Sequence, residues 1–203
     1  MSQIKLLHSG GNGVILAAPS SNPAADRTLR LPGDADGTIA TTANAGKILQ
    51  VVQTVKKDRF TAQSQTPVDI TGLSVAITPS SSSNKILIVY NVNVGGPNGG
   101  YRAFLHLMRG STDIYRGDDA SSRTRCSNFI YTRNDSVGSV PSYQNTGTFL
   151  DSPSTTSATT YKIQITTHNG GGNVYGVNTA NSNPSSSSGQ NPISQITVME
   201  VAA

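Results

Sequence analysis

The sequence of 203 residues is poor in charged side chains and in cysteine. Only 13% of the residues are Asp, Glu, Lys or Arg, which excludes the charge-rich composition that is typical of disordered chains. The single cysteine, Cys126, excludes an internal disulfide and every metal motif built on several cysteines. Arg123 and Arg125 would lower the pKa of its thiol if they lay close in space, but a small, half-buried residue on a strand is the simpler interpretation.

Long apolar runs are also missing, so the sequence predicts neither a signal peptide nor membrane insertion. We therefore expect synthesis in the cytosol, with export only as part of an assembly. The formal net charge is +4. The densest basic groups, at residues 56–59 and 116–125, are short and form no block of the kind that binds nucleic acid through phosphates. This charge supports only a mild affinity for an acidic surface.

The sequence carries no signature of a catalytic or cofactor-binding site. Gly46-Lys47 is followed by Ile48, which excludes a phosphate-binding loop. The segment 34–37 resembles the start of a calcium loop, but the closing glutamate is absent and a turn is the better interpretation. No cofactor and no enzyme is predicted on these grounds.

Isolated titratable side chains leave weaker alternatives open. The histidines His8, His106 and His168 have no second metal ligand at a suitable spacing, and His106 is expected to be a packed or hydrogen-bonded side chain within a strand. Asp118-Asp119 with Asp113 or Asp135 would suit a carboxylate pair for glycoside cleavage or a calcium site, although nothing in the spacing requires either.

The strongest positive signal lies in residues 77–94, where a polar turn precedes a β-forming segment. In the second half, apolar side chains alternate with Asn91 and Asn93. This period of two is typical of a strand with one buried face and one solvent-exposed face. The first half is apolar at four consecutive positions, as expected for a strand covered on both faces: Ile86, Leu87, Ile88 and Val89. Residues 85–94 thus predict the central strand of the main domain.

The pattern of the rest of residues 46–203 predicts short strands separated by turns. Strands are predicted at 48–54, 68–77, 101–108, 113–116, 128–133, 148–150, 161–167, 174–177 and 193–201. The turn at 109–112 predicts a hairpin, and the polar stretch 117–145 predicts long loops around one strand. The period of an amphipathic helix is sustained nowhere. The predicted fold is all-β, an antiparallel β-sandwich of the jelly-roll kind.

Residues 1–45 differ from this domain, because short apolar clusters alternate with turn residues and none can close a core alone. They predict an extended arm of short strands that gains stability by docking on another surface. The candidate docking residues are Ile4, Leu6, Val14, Leu16, Leu29 and Leu31. The domain prediction is therefore an arm, 1–45, and a β-sandwich knob, 46–203.

Several phrases of the sequence, taken together, are similar to a known family. They are TLRLP (28–32) leading to DGT (36–38), GKILQVVQ (46–53), ITGL (70–73), ITPSSSSNKI (77–86), FLDSP (149–153) before ATTY (158–161), and ITVMEV (196–201). In this order they resemble virion structural proteins of tailed phages, especially phages of cyanobacteria and marine hosts. The loops at 117–145 and 169–192 match no set motif, so any ligand specificity would lie there.

The resemblance implies a homotrimeric β-sandwich knob on the outer surface of a virion assembled in the host cytoplasm, with no catalytic residues. The arm at 1–45 is too short for a fibre shaft, which favours a capsid decoration (cement) protein that binds the major capsid protein. Ile86, Leu87, Ile88 and Val89 are the candidate trimer contacts, unless all four are buried within the knob.

Two other functions stay open beside the cement protein. One is the receptor-binding tip of a tail fibre or spike that recognises host surface glycan, with Tyr131 and Tyr143 as candidate ligand residues in loops. The other, a glycan-cleaving enzyme, predicts loss of host polysaccharide on incubation.

Overall fold

The computed structural model describes residues 3–7, 10, 13–17, 47–97, 99–132, 142–168, 174–179 and 190–203, and only the backbone of 3–7 and 13–17. The regular structure of these residues is entirely β, as predicted. The chain divides into two units, Met1–Ala45 and Gly46–Ala203. The strands are β1 (Gln3–Leu7), β2 (Gly13–Ala17), β3 (Ile48–Lys56), β4 (Phe60–Ala62), β5 (Val68–Ile77), β6 (Lys85–Gly95), β7 (Arg102–Arg109), β8 (Thr112–Tyr115), β9 (Asn128–Tyr131), β10 (Ser142–Asp151), β11 (Thr159–Thr167), β12 (Tyr175–Val177) and β13 (Ser194–Val201).

Strand β6 lies at the centre of a six-stranded sheet, which confirms the prediction for residues 85–94. One edge of β6 pairs with β10 from Ile86 to Gly95. The other edge pairs with β13 and then with β12. Strand β3 extends the sheet beyond β13, and β4 extends it beyond β12. The backbone of β6 is hydrogen-bonded on both edges, as its apolar sequence requires, because an exposed edge of this composition would invite aggregation.

The second sheet has the order β5-β11-β7-β8, and β9 also pairs with β7. The hairpin predicted around residues 109–112 is confirmed: β7 pairs with β8 across a turn in which Gly110 has a φ of +57°. Every pairing in both sheets of the knob is antiparallel.

The core lies between the two sheets and follows from alternation along each strand. Ile86, Ile88 and Tyr90 of β6 are fully buried, and Leu105 and Leu107 of β7 pack into the same cluster. The period of two places every second side chain of a strand on the inner face, so the sequence pattern alone separates the two faces. The two sheets therefore pack as a β-sandwich.

A buried carboxylate, Glu200 of β13, organises the polar turn before β6. Its Oε1 accepts hydrogen bonds from the backbone N of Ser80 at 2.7 Å and from Asn84 Nδ2 at 2.6 Å, and its Oε2 accepts one from Gln50 Nε2 at 2.6 Å. Burial alone would raise the pKa of Glu200, but the hydrogen bonds from Asn84, Ser80 and Gln50 outweigh it and hold the pKa at about 2. These hydrogen bonds therefore fix the polar turn to β13.

A second buried carboxylate, Asp151 of β10, joins the two sheets. Arg109 Nη1 of β7 lies 2.9 Å from both carboxylate oxygens, and the Tyr161 hydroxyl of β11 donates to Oδ2 at 2.7 Å. Burial and this bond to Asp151 raise the pKa of Tyr161 far above its ordinary value. The phrases FLDSP and ATTY thus meet in space at this contact.

Some predicted boundaries are wrong. Residues 142–145 were expected in a loop but belong to β10, which begins six residues before the predicted strand at 148–150 and pairs with β6 along its whole length. The short strand β4 was not predicted. Cys126 is half-buried but lies in the segment before β9, not on a strand. Burial and the nearby Asp113 carboxylate raise the pKa of its thiol, so the neighbouring arginines do not activate it.

In the N-terminal unit, β1 and β2 pair as an antiparallel hairpin. Ile4 lies opposite Leu16, and Leu6 lies opposite Val14. Positions two apart on a strand share a face, so these four docking candidates fall on one face of the hairpin. Leu29 and Leu31, and the calcium-like segment 34–37, lie outside the described residues.

Candidate functional site

The outer face of the six-stranded sheet carries a continuous row of four apolar side chains from four strands, which we call the apolar row: Val51, Met199, Leu87 and Leu150. The register places Val51 of β3 opposite Met199 of β13, Met199 opposite Leu87 of β6, and Leu87 opposite Leu150 of β10. Val51 is 57% exposed and Leu150 is 47% exposed. Exposed apolar surface that is contiguous across strands is typical of an interaction site.

The surroundings of the apolar row are nearly free of charge. On the outward positions of β3, β6, β10 and β13, the one ionisable side chain within the described strands is Lys85. The next row along, Gln53, Thr197, Val89 and Thr148, is neutral. Gln53 Nε2 donates to Thr197 Oγ1 at 2.9 Å, which satisfies these polar groups within the face. Four strands at about 4.8 Å spacing make this face about 19 Å wide.

The predicted trimer contacts separate into two pairs. Ile86 and Ile88 are fully buried inside the sandwich and cannot reach another subunit. Leu87 and Val89 lie half-buried on the outer face, where Leu87 belongs to the apolar row and Val89 to the next one. The prediction of a trimer contact therefore narrows to Leu87 and Val89. The sequence did not mark Val51, Met199 or Leu150, because only the strand register brings them beside Leu87.

A different surface lies on the outer face of the five-stranded sheet. Phe104 of β7 lies opposite Phe129 of β9 and opposite Thr166 of β11. Phe129 is 63% exposed, and the Phe104 ring meets His168 edge-on with centroids 6.3 Å apart. Two cavities of about 420 and 390 Å³ share Phe104, Thr124 and His168 in their walls, and we call their union the aromatic groove.

His106 forms part of the floor of this groove and is buried, as the sequence analysis expected. Its Nε2 lies 2.8 Å from Thr166 Oγ1, and its Nδ1 lies 3.1 Å from Asp113 Oδ2. Both contacts fit a neutral imidazole whose Nδ1–H donates to the Asp113 carboxylate and whose Nε2 accepts from the Thr166 hydroxyl. The order Thr166, His106, Asp113 has the connectivity of a nucleophilic triad, but the strand N–H groups beside it are engaged in the sheet and form no oxyanion hole.

The two candidate ligand tyrosines lie on different sheets. Tyr131, at the end of β9, is 46% exposed, and the Arg102 guanidinium carbon lies 5.8 Å from its ring centroid. Arg102 lines the aromatic groove, so Tyr131 lies at its border. Tyr143 of β10 lies opposite Val94 and packs half-buried against the core. Of the two predicted ligand residues, Tyr131 is therefore the one whose side chain is accessible to a ligand.

The remaining sequence candidates do not gather into a site. Within the part of the chain that the structure describes, no three His, Cys, Asp or Glu residues are grouped to hold a metal ion. Asp118 and Asp119 are exposed, and Asp135 lies outside the described residues. Lys56, part of a basic group in the sequence, is buried and paired with Asp58 at 2.7 Å. No helix long and apolar enough to span a bilayer occurs in the described ranges.

Comparison with known proteins gives weak structural similarities. No family model matches the chain, and no curated protein matches it. A chain from the structure of infectious bursal disease virus, Gx strain, is 14% identical with a TM-score of 0.38, over 86% of this chain and 43% of that one. The VP2 subviral particle of the same virus gives 15% identity and a TM-score of 0.34, over 95% and 48%. The tripod from the baseplate of bacteriophage Tuc2009 gives 11% identity and a TM-score of 0.23, over 94% and 84%.

The chain is thus weakly similar in structure to viral particle proteins and to a phage baseplate component. It spans less than half the length of the first two. TM-scores below 0.5 are too low to carry an argument about function.

Proposed function

We propose that the chain is a structural protein of a virion surface, a homotrimeric knob that a docking arm attaches to the capsid shell. The observation that carries the proposal is the apolar row on a face with almost no charge. Copies of one chain bring identical charges together, so a face that is to meet its own copies is best neutral. Burying the exposed parts of four apolar side chains from each copy would supply hydrophobic stabilisation at about 25 cal/mol per Å².

The arm is assigned to docking because the register of β1 and β2 places Ile4, Leu6, Val14 and Leu16 on one face. An isolated two-stranded hairpin is marginally stable in water and gains stability when an apolar face packs on another surface. A cement protein that binds only the assembled shell would stabilise it by mass action. The sequence resemblance to tailed-phage virion proteins supports a partner within a virion, and the capsid is the one we propose.

Assembly is tested by placing charge on the apolar row. We expect the wild-type chain to sediment at three times the monomer mass at micromolar concentration, and Val51→Lys/Leu150→Lys to sediment as a folded monomer. The matched control is Ser74→Lys/Ala76→Lys, which adds the same two charges at exposed positions on β5 of the other sheet and should leave the mass unchanged. A monomeric wild type, or a trimer that survives both lysines, refutes the proposed interface.

Docking is tested separately with phage heads that lack the protein. Because residues 46–203 form a unit with its own core, the chain without residues 1–45 should stay folded and trimeric but fail to co-sediment with heads. Leu6→Asp/Leu16→Asp in the full chain should have the same effect. Undiminished binding by either variant would contradict a docking role for the arm.

One observation favours a second function, a receptor-binding tip that recognises host surface glycan. The exposed Tyr131 borders the aromatic groove, and open aromatic faces beside polar side chains suit sugar rings. In this case the knob presents the groove to the host, and the arm docks on a tail assembly instead of the capsid.

A further inference from the structure

We propose that the aromatic groove is a binding site for an acidic saccharide, a short glycan whose sugar rings carry carboxylates. The inference goes beyond the assembly of the knob and rests on the second proposed function, for which it names the class of ligand. It is carried by the size of the groove, by its exposed aromatic faces and by the sign of its charge.

The size of the groove fits an oligosaccharide. The two adjoining cavities measure about 420 and 390 Å³, and binding sites for small ligands typically enclose 300–1,000 Å³. The cavities meet at Phe104, Thr124 and His168, so the site is elongated. Ser122, Arg123, Thr124 and Cys126 form one wall. Their segment is held in place by Arg125 Nε, which donates to the Gly117 carbonyl at 2.7 Å. An extended chain of two or three sugar rings matches this shape.

The aromatic side chains offer apolar faces that the described residues of the knob leave open. Phe129 is 63% exposed although it lies next to Phe104 across two paired strands. Because Phe129 is exposed to this extent, the folded chain does not gain most of the free energy that burial of its ring would release. The C–H face of a pyranose ring is apolar and stacks on such a ring, while its edges carry hydroxyl groups. Stacking here therefore buries both partners and leaves the sugar hydroxyls facing the groove wall.

Polar groups of the wall and floor match those hydroxyls. The Thr166 hydroxyl lies 2.8 Å from His106 Nε2, and its oxygen has two lone pairs, so at least one remains that can accept from the ligand. Gln65, Ser122 and Thr124 line the same cavities and bring further donors and acceptors. Asp113, which holds the other nitrogen of His106, fixes the imidazole in this orientation. The network thus acts by positioning the Thr166 oxygen.

The charge of the groove selects an anion. Arg102 and Arg123 line the second cavity, and no carboxylate is among the described residues that line either cavity. The Arg123 side chain forms no ion pair in the described part of the chain, and Arg102 lies over the Tyr131 ring. A guanidinium binds a carboxylate with two parallel hydrogen bonds. A uronate fits both the arginines and the aromatic faces, whereas a single-stranded nucleic acid would need a longer basic track.

The test is calorimetric titration of the full-length chain with trimers of galacturonate, mannuronate and guluronate. At least one is expected to bind with a dissociation constant below about 1 mM, and a neutral glucose trimer at least about tenfold more weakly. Arg123→Gln, which removes a charge-assisted hydrogen bond, should weaken uronate binding about tenfold. Phe129→Ala, which removes a stacking face, should have a similar effect.

The control is Lys162→Gln, which removes one positive charge from the same outer face outside the groove, where Lys162 pairs with Asp69 at 2.8 Å. It should change the affinity less than about twofold. Equal affinity for the neutral trimer, absence of binding by all three uronates at 10 mM, or tighter binding of a thymidine oligonucleotide would overturn the inference. So would cleavage of the trimer during titration, because the site would then be catalytic.

Sedimentation of the same samples keeps the proposals apart. Absence of uronate binding by a wild-type protein that is trimeric refutes the groove as an acidic-saccharide site and leaves the proposed assembly intact. A monomeric protein that binds uronate supports the groove and refutes the proposed assembly.

Discussion

The two outer faces of the sandwich differ in shape, charge and composition. On the six-stranded sheet, four strands place an apolar row among neutral side chains, with Lys85 as the one charge at their outward positions. On the five-stranded sheet, the outer face carries the charged pair Asp69–Lys162 and a groove with an exposed aromatic ring, Phe129. A neutral face suits contact with identical copies, and a concave cationic one suits an anionic ligand. Under the two proposals, assembly and recognition would therefore use opposite faces of the sandwich.

The sharpest comparison is between neighbouring residues of β6 that point to opposite faces. In the monomeric Val51→Lys/Leu150→Lys background, we expect Ile88→Ala to lower the free energy of unfolding by about 2–5 kcal/mol, because Ile88 is fully buried. Leu87→Ala, on the half-buried outer face, should cost about 1 kcal/mol. Urea unfolding at pH 7 measures both. Equal losses would mean that the outer face is covered within the monomer.

A substitution of Asp151 tests the contact that this carboxylate makes between the two sheets. Asp151→Asn removes the charge that Arg109 and Tyr161 share, and we expect a loss of about 2–4 kcal/mol in the free energy of unfolding. Asp69→Asn is the matched control, because it breaks the exposed pair with Lys162 and should cost only about 0.2–1 kcal/mol. If the two variants unfold at the same urea concentration, Asp151 does not join the sheets.

Glu200 should make the free energy of unfolding depend on pH in the acid range. Its pKa is held at about 2 in the folded protein, below the ordinary 4.5, so the unfolded chain binds a proton at higher pH than the folded one. The stability that this carboxylate contributes is therefore complete above pH 4.5 and is lost as the pH falls toward 2. Glu200→Gln should cost about 1–3 kcal/mol at pH 7.

The same variant should also have a flatter acid decline, measured by urea unfolding at a series of pH values. An acid decline as steep as that of the wild type would show that other carboxylates are responsible.

Salt concentration should also distinguish the two outer faces, and its effects should be the smallest of those predicted. Raising NaCl from about 0.05 to about 0.5 M shortens the screening length from about 13 Å to about 4 Å. The trimer should hold, with its association constant changing less than about twofold, because the apolar row carries no charge. Uronate binding to the aromatic groove should weaken several-fold. A trimer that dissociates in salt would place its interface on the charged face instead.

The sequence predicted strands where side chains alternate and missed those stabilised by their neighbours. The faces of β7 and the central place of β6 follow from local pattern. Residues 142–147, by contrast, include Asn145 and Gly147, which have low strand propensity. They form a strand because β6 pairs with them, and a Cβ at Gly147 would lie 2.3 Å from the Tyr90 ring. Such pairing depends on residues about 50 positions away, which no local window contains.

The candidate surfaces were harder to predict than the strands. Val51, Met199 and Leu150 are ordinary apolar residues of separate strands, and only the register makes them one row with Leu87. Phe104 and Phe129 likewise meet only through the pairing of β7 with β9. The conspicuous phrases of the sequence, around Ser80 and Asp151, instead mark hydrogen bonds that hold the fold. A distinctive phrase therefore identifies a scaffold more readily than a site.

The position of β13 has a consequence for how copies of the chain are made. Residues 194–201 lie between β3, which leaves the ribosome early, and β6. Until they emerge, β3 lacks its sheet partner and one edge of β6 stays open along residues 85–91, a state prone to aggregation. Met199 also lies in the middle of the apolar row. A copy truncated before residue 194 would lack Met199 and with it part of the apolar row, so under the proposed assembly such a copy should join a trimer less readily than one that contains β13.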